Sequence, residues 1–292
     1  MSPAKNDNQN PRAFAEVRGR HAKPAADATQ KGRKKASIVA LSVILVVLVL
    51  GVIAGVAFML QQNAQLERAA QEAAETPIPT TPESSETSEE QQLVENPIDF
   101  ASLQAENTDI YAWLYVPDTN INYPVMQHAE DDSYYLHTNR YHEFSLEGAI
   151  FSQSMNSKDF SDPVTVLYGH NNANGAMFAT LHNFEDASFF QSHDTFYIYT
   201  PGHILTYHIV SAYEYDDRHI LNSFDFSDTA TVKEYFSGVL NPSTSLVRNV
   251  REGSELTTSD TIVQLSTCMS EPSKANSRYL VSGVLVDDQP TY

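Results

Sequence analysis

Cysteine is almost absent from this sequence. Among its 292 residues there is one cysteine, Cys268, and one tryptophan, Trp113. A single cysteine excludes a disulfide within the chain. It leaves three interpretations: pairing with another chain, a reactive thiol, or a buried and inert thiol that packs as a small apolar side chain. Composition alone leaves all three open.

Positive charge is scarce beyond residue 35. The first 35 residues carry nine lysines and arginines against three acids, and the remainder carries 9 basic residues (18 − 9) and 34 acidic residues (37 − 3). The net charge of the remainder is therefore −25 (9 − 34). Such a surface repels nucleic acid and anionic lipid, which excludes both as expected partners. It favours solubility, and it also suits a cationic partner that carries amines.

Charged residues are missing altogether from 36–60. These 25 residues, ASIVALSVILVVLVLGVIAGVAFML, also lack Asn, Gln and Pro. A helix of this length exceeds the ~20 residues that cross a bilayer core, whereas a cleaved signal peptide has an apolar core of only ~7–15 residues. The preceding basic cluster, KGRKK, places the N-terminus in the cytoplasm. We predict a basic cytoplasmic tail at 1–35 and a single-pass transmembrane signal anchor at 36–60.

Apolar residues are sparse in 61–97, in contrast to the preceding segment. The first part, QQNAQLERAAQEAAE, is rich in Ala, Glu and Gln and is expected to be helical. The rest contains four prolines and many Ser, Thr and Glu residues, a composition typical of disorder. We therefore predict a flexible stalk at 61–97 and an extracellular folded domain at 98–292, held at the cell membrane.

The folded domain lacks a regular alternation of strands and helices. After two short runs within 110–127, segments rich in β-branched and aromatic residues predict strands at 148–151, 164–168, 195–199, 204–213, 261–267 and 278–286. Short helices are predicted at 100–106, 177–181 and 229–240, the last with Asp228 as its N-cap. The predicted fold class is mainly β, a closed β-barrel with short inserted helices.

Cys268 ends one predicted strand, and Arg278 begins the next. If the two strands form a hairpin, the residues on either side of the nine-residue connection meet at one end of the sheet. A free thiol is only a few per cent ionised at neutral pH, and a nearby guanidinium favours the thiolate and donates hydrogen bonds to an oxyanion. The alternatives are a buried inert thiol and an arginine that is only a surface charge.

A histidine completes the candidate site. His170 lies just after a predicted strand, in a loop rich in Gly and Asn, where sheet proteins often expose chemistry. The other eight histidines of the domain lack such a setting and are expected to be structural or surface residues. His170 could equally be a turn residue. A zinc site from His170, His182 and Cys268 is disfavoured because no pair of closely spaced ligands is present.

At these residues the chain resembles the sortases, membrane-anchored cysteine transpeptidases of Gram-positive surfaces. The strand end QLSTC (264–268) resembles the family's Thr-Leu-x-Thr-Cys motif, with Gln264 in place of the first threonine. Four further segments are similar to class B sortases and follow in the same order. They are WLYVPDTNINYPVMQ (113–127), DDSYYL (131–136), GAIFSQ (148–153) and YGHNNANGAMF (168–178).

The resemblance implies a sortase-like barrel and acyl transfer through a thioester. The catalytic residues would be Cys268 as nucleophile, His170 as proton carrier and Arg278 at the oxyanion. Four substrate-binding residues are also implied: Ser266, Thr267, Leu136 and Asp132. The expected partners are surface proteins with a C-terminal sorting signal, LPxTG- or NPxT-like, and an amine of a peptidoglycan precursor. No metal or organic cofactor is implied.

Three other functions remain open at this stage. A pilin polymerase would use the same residues with a pilin lysine as the acceptor. A cysteine peptidase would replace the amine with water. A stalked domain that binds a surface ligand or haem without catalysis would make Cys268 dispensable and Arg278 a surface charge.

Overall fold

The computed structural model describes residues 27–75, 93–243, 247–274 and 276–292. Residues 1–26 of the predicted basic tail and residues 76–92 of the predicted stalk therefore lie outside the described residues. The chain divides into two compact units between Phe58 and Met59, and each is considered by itself.

The N-terminal helix, α1, spans Asp27–Glu75. Within it, Ala40–Gln65 is long and apolar enough to cross a membrane, with a mean hydropathy of 3.2 and none of that window buried. This segment begins four residues later and ends five residues later than the predicted 36–60. The helix continues to Glu75, as the Ala/Glu/Gln-rich composition suggested, so the first part of the 61–97 segment is helical rather than disordered.

The second unit is an eight-stranded closed barrel, as predicted. Its strands are β1 (Ile110–Tyr115), β2 (Asn122–Met126), β3 (Ile150–Phe151), β4 (Val164–Tyr168), β5 (Thr195–Thr200), β6 (His203–Asp216), β8 (Ile262–Cys268) and β9 (Ser277–Pro290). The order around the barrel is β5-β1-β2-β3-β4-β8-β9-β6, and pairing of β5 with β6 closes it. The pairs β2/β3 and β4/β8 are parallel, and the other pairs are antiparallel.

The other elements of the barrel unit precede β1 or lie between these strands. They are the helices α2 (Phe100–Glu106), α3 (Ala187–Ser192), α4 (Ile220–Ser223) and α5 (Thr229–Leu240), the strand β7 (Arg248–Val250), which pairs with β6, and the 3-10 helices Tyr134–Leu136, Ala179–Glu185 and Pro272–Lys274. The sequence predicted α2 and α5 with the observed bounds. It did not predict α3, α4 or β7.

The folded unit begins before the predicted boundary at residue 98. Val94 forms a parallel bridge with Thr291, and the Asn96 Nδ2 donates to the carbonyl of Thr200 at 2.9 Å. The residues from 93 to 97, which the sequence assigned to the stalk, therefore pack on the barrel unit, beside its C-terminal residues. Their polar side chains satisfy main-chain groups, which composition does not reveal.

Two predicted boundaries were wrong because of left-handed backbone. The strand predicted from residue 148 begins at Ile150, since Gly148 has φ +58° and a Cβ there would lie 2.6 Å from the Leu136 carbonyl oxygen. The helix predicted at 177–181 begins later, at Ala179. Met177 has φ +56°, which is incompatible with a right-handed helix.

Helix α5 covers the outer face of the barrel near one end. Its N-cap is Asp228, as predicted, whose carboxylate accepts from the backbone N–H groups of Ala230 and Thr231. Hydrogen bonds from Thr231 hold the pKa of Asp228 below its usual value. The apolar face of the helix is buried against the barrel through Val232, Tyr235, Phe236 and Val239. The predicted helical spacing is confirmed.

Gln264 connects this helix to the barrel. Its side chain is fully buried. It accepts from the hydroxyl of Tyr235 at 2.6 Å, and its Nε2 donates to Tyr213 at 3.3 Å and to Ser282 at 3.0 Å. The residue that departs from the family motif is thus part of a buried polar network beneath α5.

We predict that Gln264→Leu lowers the free energy of unfolding by about 2–4 kcal/mol, because it leaves buried hydroxyls without partners. Chemical denaturation of the isolated barrel unit measures this. The control is Gln191→Leu on the exposed face of α3, where a change within about 0.5 kcal/mol is expected. Equal stabilities of the two variants would contradict a structural role for the Gln264 network.

Candidate active site

Cys268 and Arg278 lie directly opposite each other at the end of the β8/β9 hairpin. They are register partners in this antiparallel pair, so the predicted hairpin is confirmed. The cysteine side chain is exposed, which excludes a buried inert thiol. The arginine is half-buried.

A cavity of about 220 Å³ opens beside this pair. The residues that line it are Leu136, Phe151, Tyr168, Gly169, His170, Tyr215, Asp217, Arg218, His219, Ile220, Ser266, Thr267, Cys268, Arg278 and Leu280. Six of the seven residues that the sequence singled out are in this set. The cavity has the concave shape and mixed apolar and polar lining of a ligand site.

Parallel pairing of β4 with β8 brings His170 to the cavity. Tyr168 at the end of β4 is the register partner of Ser266, and the next residue, Gly169, donates its N–H to the Ser266 carbonyl at 3.2 Å. The hydroxyl of Thr267 donates to the Gly169 carbonyl at 2.8 Å. A Cβ at Gly169 would lie 2.7 Å from Cγ of Phe178, so only glycine fits before the histidine.

The ring of His170 is held from the other side of the cavity. Its Nε2 lies 2.8 Å from the carbonyl oxygen of Leu136, and its ring stacks on that of His137 with centroids 5.9 Å apart. A carbonyl oxygen only accepts hydrogen bonds, so Nε2 carries a proton. In the neutral ring, Nδ1 is therefore the nitrogen with a free lone pair.

The guanidinium of Arg278 is not neutralised by a carboxylate of the described residues. Its Nη1 donates to the Ser277 carbonyl at 3.1 Å, and no acidic side chain of the described part of the chain lies within ion-pair distance. Its charge acts on nearby Tyr168. Burial raises the pKa of the Tyr168 phenol and the charge of Asp132 raises it further, whereas Arg278 opposes the shift.

The predicted substrate-binding residues differ in position. Ser266, Thr267 and Leu136 line the cavity, although the Thr267 hydroxyl is used within the protein. Asp132 is not among the described residues that line it. Its Oδ1 accepts from the backbone N–H of Ser154 at 2.7 Å.

Comparison with known proteins identifies the family. The sortase domain model matches residues 114–286. Sortase B of Listeria monocytogenes is 34% identical over 190 residues, which cover 64% of this chain and 74% of that protein. The chain belongs to the sortase family, class B. Sortases are cysteine transpeptidases, and this chain has a single cysteine, Cys268.

Solved structures agree with this assignment. Sortase B of Clostridium perfringens is 30% identical with a TM-score of 0.55, and the match covers 64% of this chain and 99% of that chain. A class B sortase of Streptococcus pyogenes that is involved in pilus biogenesis is also 30% identical, with a TM-score of 0.55 and coverage of 65% and 98%.

Sequence reasoning missed one segment and one further residue around the sortase site. The segment from Tyr215 to Ile220 forms one wall of the cavity, and its only sequence signal is a charged loop after a long strand. His182, which was expected to be structural or on the surface, contacts the main chain of Cys268. The zinc alternative gains no support, because no group of three or more His, Cys, Asp or Glu side chains among the described residues could hold a metal ion.

We predict that a small thiol reagent modifies the folded sortase at one equivalent per chain, because Cys268 is exposed and is the sole cysteine. Mass spectrometry of the intact protein measures the adduct. The Cys268→Ala variant should gain no mass. Labelling that requires denaturant would contradict the exposure of the thiol.

Proposed function

We propose that this sortase cleaves a C-terminal sorting signal, LPxTG- or NPxT-like, after its threonine and joins the acyl group to an amine of a peptidoglycan precursor. The observation that carries the proposal is the exposed thiol of Cys268 opposite the guanidinium of Arg278, which has no carboxylate partner among the described residues, with His170 on the same cavity.

In the first half-reaction, the Cys268 sulfur attacks the threonine carbonyl. Arg278 donates hydrogen bonds to the oxyanion that forms, and its planar fork suits this better than a lysine would. The C–N bond then breaks. His170 as imidazolium gives the departing amine its proton, and the threonine remains on sulfur as a thioester.

The second half-reaction frees Cys268 from the thioester. The acceptor amine attacks the thioester carbonyl while neutral His170 takes its proton. A new C–N bond forms, the C–S bond breaks, and Cys268 leaves as the thiolate. Because the same ring gives and then takes one proton, the cycle needs no cofactor.

Leu136, Ser266 and Thr267 are proposed to contact the sorting signal. The first presents an apolar side chain that is 38% exposed at the cavity, and the other two precede the nucleophile on β8. Asp132 is proposed to meet a part of the signal that extends past the cavity. Its charge reaches the lining residue Tyr168.

The proposed location is the cell membrane, with the N-terminus in the cytoplasm and the catalytic domain outside. The support is the apolar segment of α1 preceded by five residues, KGRKK, of which four are basic. This topology would place the catalytic domain on the side of the membrane that exported substrates reach.

A pilin lysine is the alternative acceptor. Its support is the S. pyogenes class B sortase, which is involved in pilus biogenesis and is 30% identical to this chain. If neither amine reacts with the thioester, water would hydrolyse it and the protein would act as a cysteine peptidase. A purely binding domain is disfavoured, since it needs neither an exposed thiol nor an arginine beside it that lacks a carboxylate partner among the described residues.

We predict transpeptidation when the barrel unit is incubated with sorting-signal peptides and candidate amines, followed by mass spectrometry of products. Cys268→Ser should form no thioester. Arg278→Lys should lower kcat about 10²-fold, because it loses the bidentate oxyanion contact. His170→Gln should lower it about 10²- to 10⁴-fold through loss of the proton carrier.

The matched control is His203→Phe. His203 pairs with Asp288 at 2.7 Å at the opposite end of β6 from the cavity, so activity should be unchanged. Identical product profiles for the wild type and Cys268→Ser would refute the mechanism. Products that form with diaminopimelate- or glycine-type amines but not with pilin lysines would favour cell-wall attachment over pilus assembly.

A further inference from the structure

The carbonyl of Cys268 lies on the side of β8 that faces β4, at a point that β4 does not reach. On that side of β8, the Ser266 carbonyl accepts from the backbone N–H of Gly169, just past the end of β4. Carbonyls two residues apart point the same way along a strand. The Cys268 carbonyl is therefore the next in this row, and β4 has no residue left to pair with it.

Two side chains take the place of the missing strand. Nδ2 of Asn171 donates to the Cys268 carbonyl at 3.0 Å, and Nε2 of His182 lies 3.0 Å from the same oxygen. Asn171 also donates to the hydroxyl of Ser270 at 2.9 Å, so it contacts the nucleophile's residue and the loop that follows. Neither side chain is among the residues that line the cavity.

His182 is itself fixed by its surroundings. Nδ1 lies 2.6 Å from the Glu185 carboxylate, and its ring stacks on Tyr279 with centroids 5.1 Å apart. A carboxylate and a carbonyl both only accept, so a ring that bonds to both donates from both nitrogens. When the ring is neutral, Nδ1–H stays on Glu185 and Asn171, 3.0 Å from Nε2, remains the donor to Cys268.

We propose that His182, held by Glu185 and Tyr279, acts with Asn171 as a positioning pair that anchors the main chain of Cys268 and so places its sulfur for attack. This inference rests on the proposed role of Cys268 as the nucleophile. The two side chains supply the hydrogen bonds that a continued β4 would otherwise supply.

Apart from the β8/β9 ladder, few other bonds among the described residues hold Cys268. Beyond Cys268, Met269 N–H reaches the Ser277 carbonyl at 3.4 Å, a weak bond, and the loop is attached further on by Lys274 to Glu214 at 3.0 Å. Because Cys268 is the last residue of its strand, loss of both side-chain donors would free its peptide plane. The sulfur would then sample many positions, and few of them would be in reach of the scissile carbonyl.

The test is a double-mutant cycle on acyl transfer to sorting-signal peptides. His182→Phe keeps a ring against Tyr279 but removes both donors, and Asn171→Ala removes the other contact. We expect each single variant to lower kcat about fivefold, which is the net worth of about one hydrogen bond. The double variant should lose about fiftyfold or more, beyond the product of the singles, because either donor alone can hold the carbonyl.

Two further readouts separate positioning from other roles. KM for the peptide should stay within about twofold, because neither side chain lines the cavity. His182→Gln, which keeps an N–H donor, should recover most of the activity lost in His182→Phe. His203→Phe, a change in another histidine–carboxylate pair remote from the cavity, should leave kcat and KM unchanged.

Several outcomes would overturn the inference. They are a double variant with wild-type kcat, a loss confined to KM, and equal activities for His182→Phe and His182→Gln. Should the double variant fail to fold by circular dichroism, unchanged kcat in the single His182→Phe variant overturns it alone.

The failure of the proposed function would be distinguishable. In that case the wild type itself would form no thioester with any peptide. The alkylation rate of the Cys268 thiol then tests positioning without a substrate. A slower or heterogeneous rate in the double variant supports the inference, and an unchanged single-exponential rate overturns it.

Discussion

The parallel pairing of β4 with β8 is the constraint on which the site depends. It joins segments almost a hundred residues apart, and its last register pair is Tyr168 with Ser266. His170 lies two residues after Tyr168, and Cys268 lies two residues after Ser266. Both are therefore at the same edge of the sheet, because β4 and β8 run in parallel. The antiparallel partner β9 adds Arg278 opposite the cysteine. A slip of one residue in either pairing would turn the thiol to the other face of the sheet.

The alternation of side chains along β8 explains why Gln264, which stands where the sortase motif has threonine, does not disturb the cavity. Gln264, Ser266 and Cys268 share one face of β8, and the structure covers the first with α5 and leaves the last two at the cavity. The cavity thus lies at one end of this face of β8, and α5 covers the other end. Tyr213 and Tyr215 on β6 repeat this division, since the former bonds to Gln264 and the latter lines the cavity.

What could be predicted from the sequence depended on short-range signals. The hairpin that joins Cys268 to Arg278 follows from two adjacent strands, and the N-cap at Asp228 follows from local chemistry. The left-handed backbone at Met177 has no such signal, since the conformation is imposed by the surrounding fold. His182 contacts a carbonyl 86 residues away, and no local pattern marks it. Its contact depends on β4 ending before β8 does, which is a property of the folded sheet and not of the local sequence.

A nucleophile at a strand end faces two opposed requirements. Its sulfur must stay exposed and unbonded to react, yet its position must be fixed to within a fraction of an ångström. This protein fixes the main chain instead of the side chain, by a ladder on one side of Cys268 and by Asn171 and His182 on the other. Arg278 follows the same rule. Its backbone is held by the hairpin, and among the described residues its guanidinium is held only by the neighbouring Ser277 carbonyl. In the proposed mechanism, the thiol and the guanidinium therefore remain available to the substrate, because the backbone, rather than the two side chains, carries the bonds that order the site.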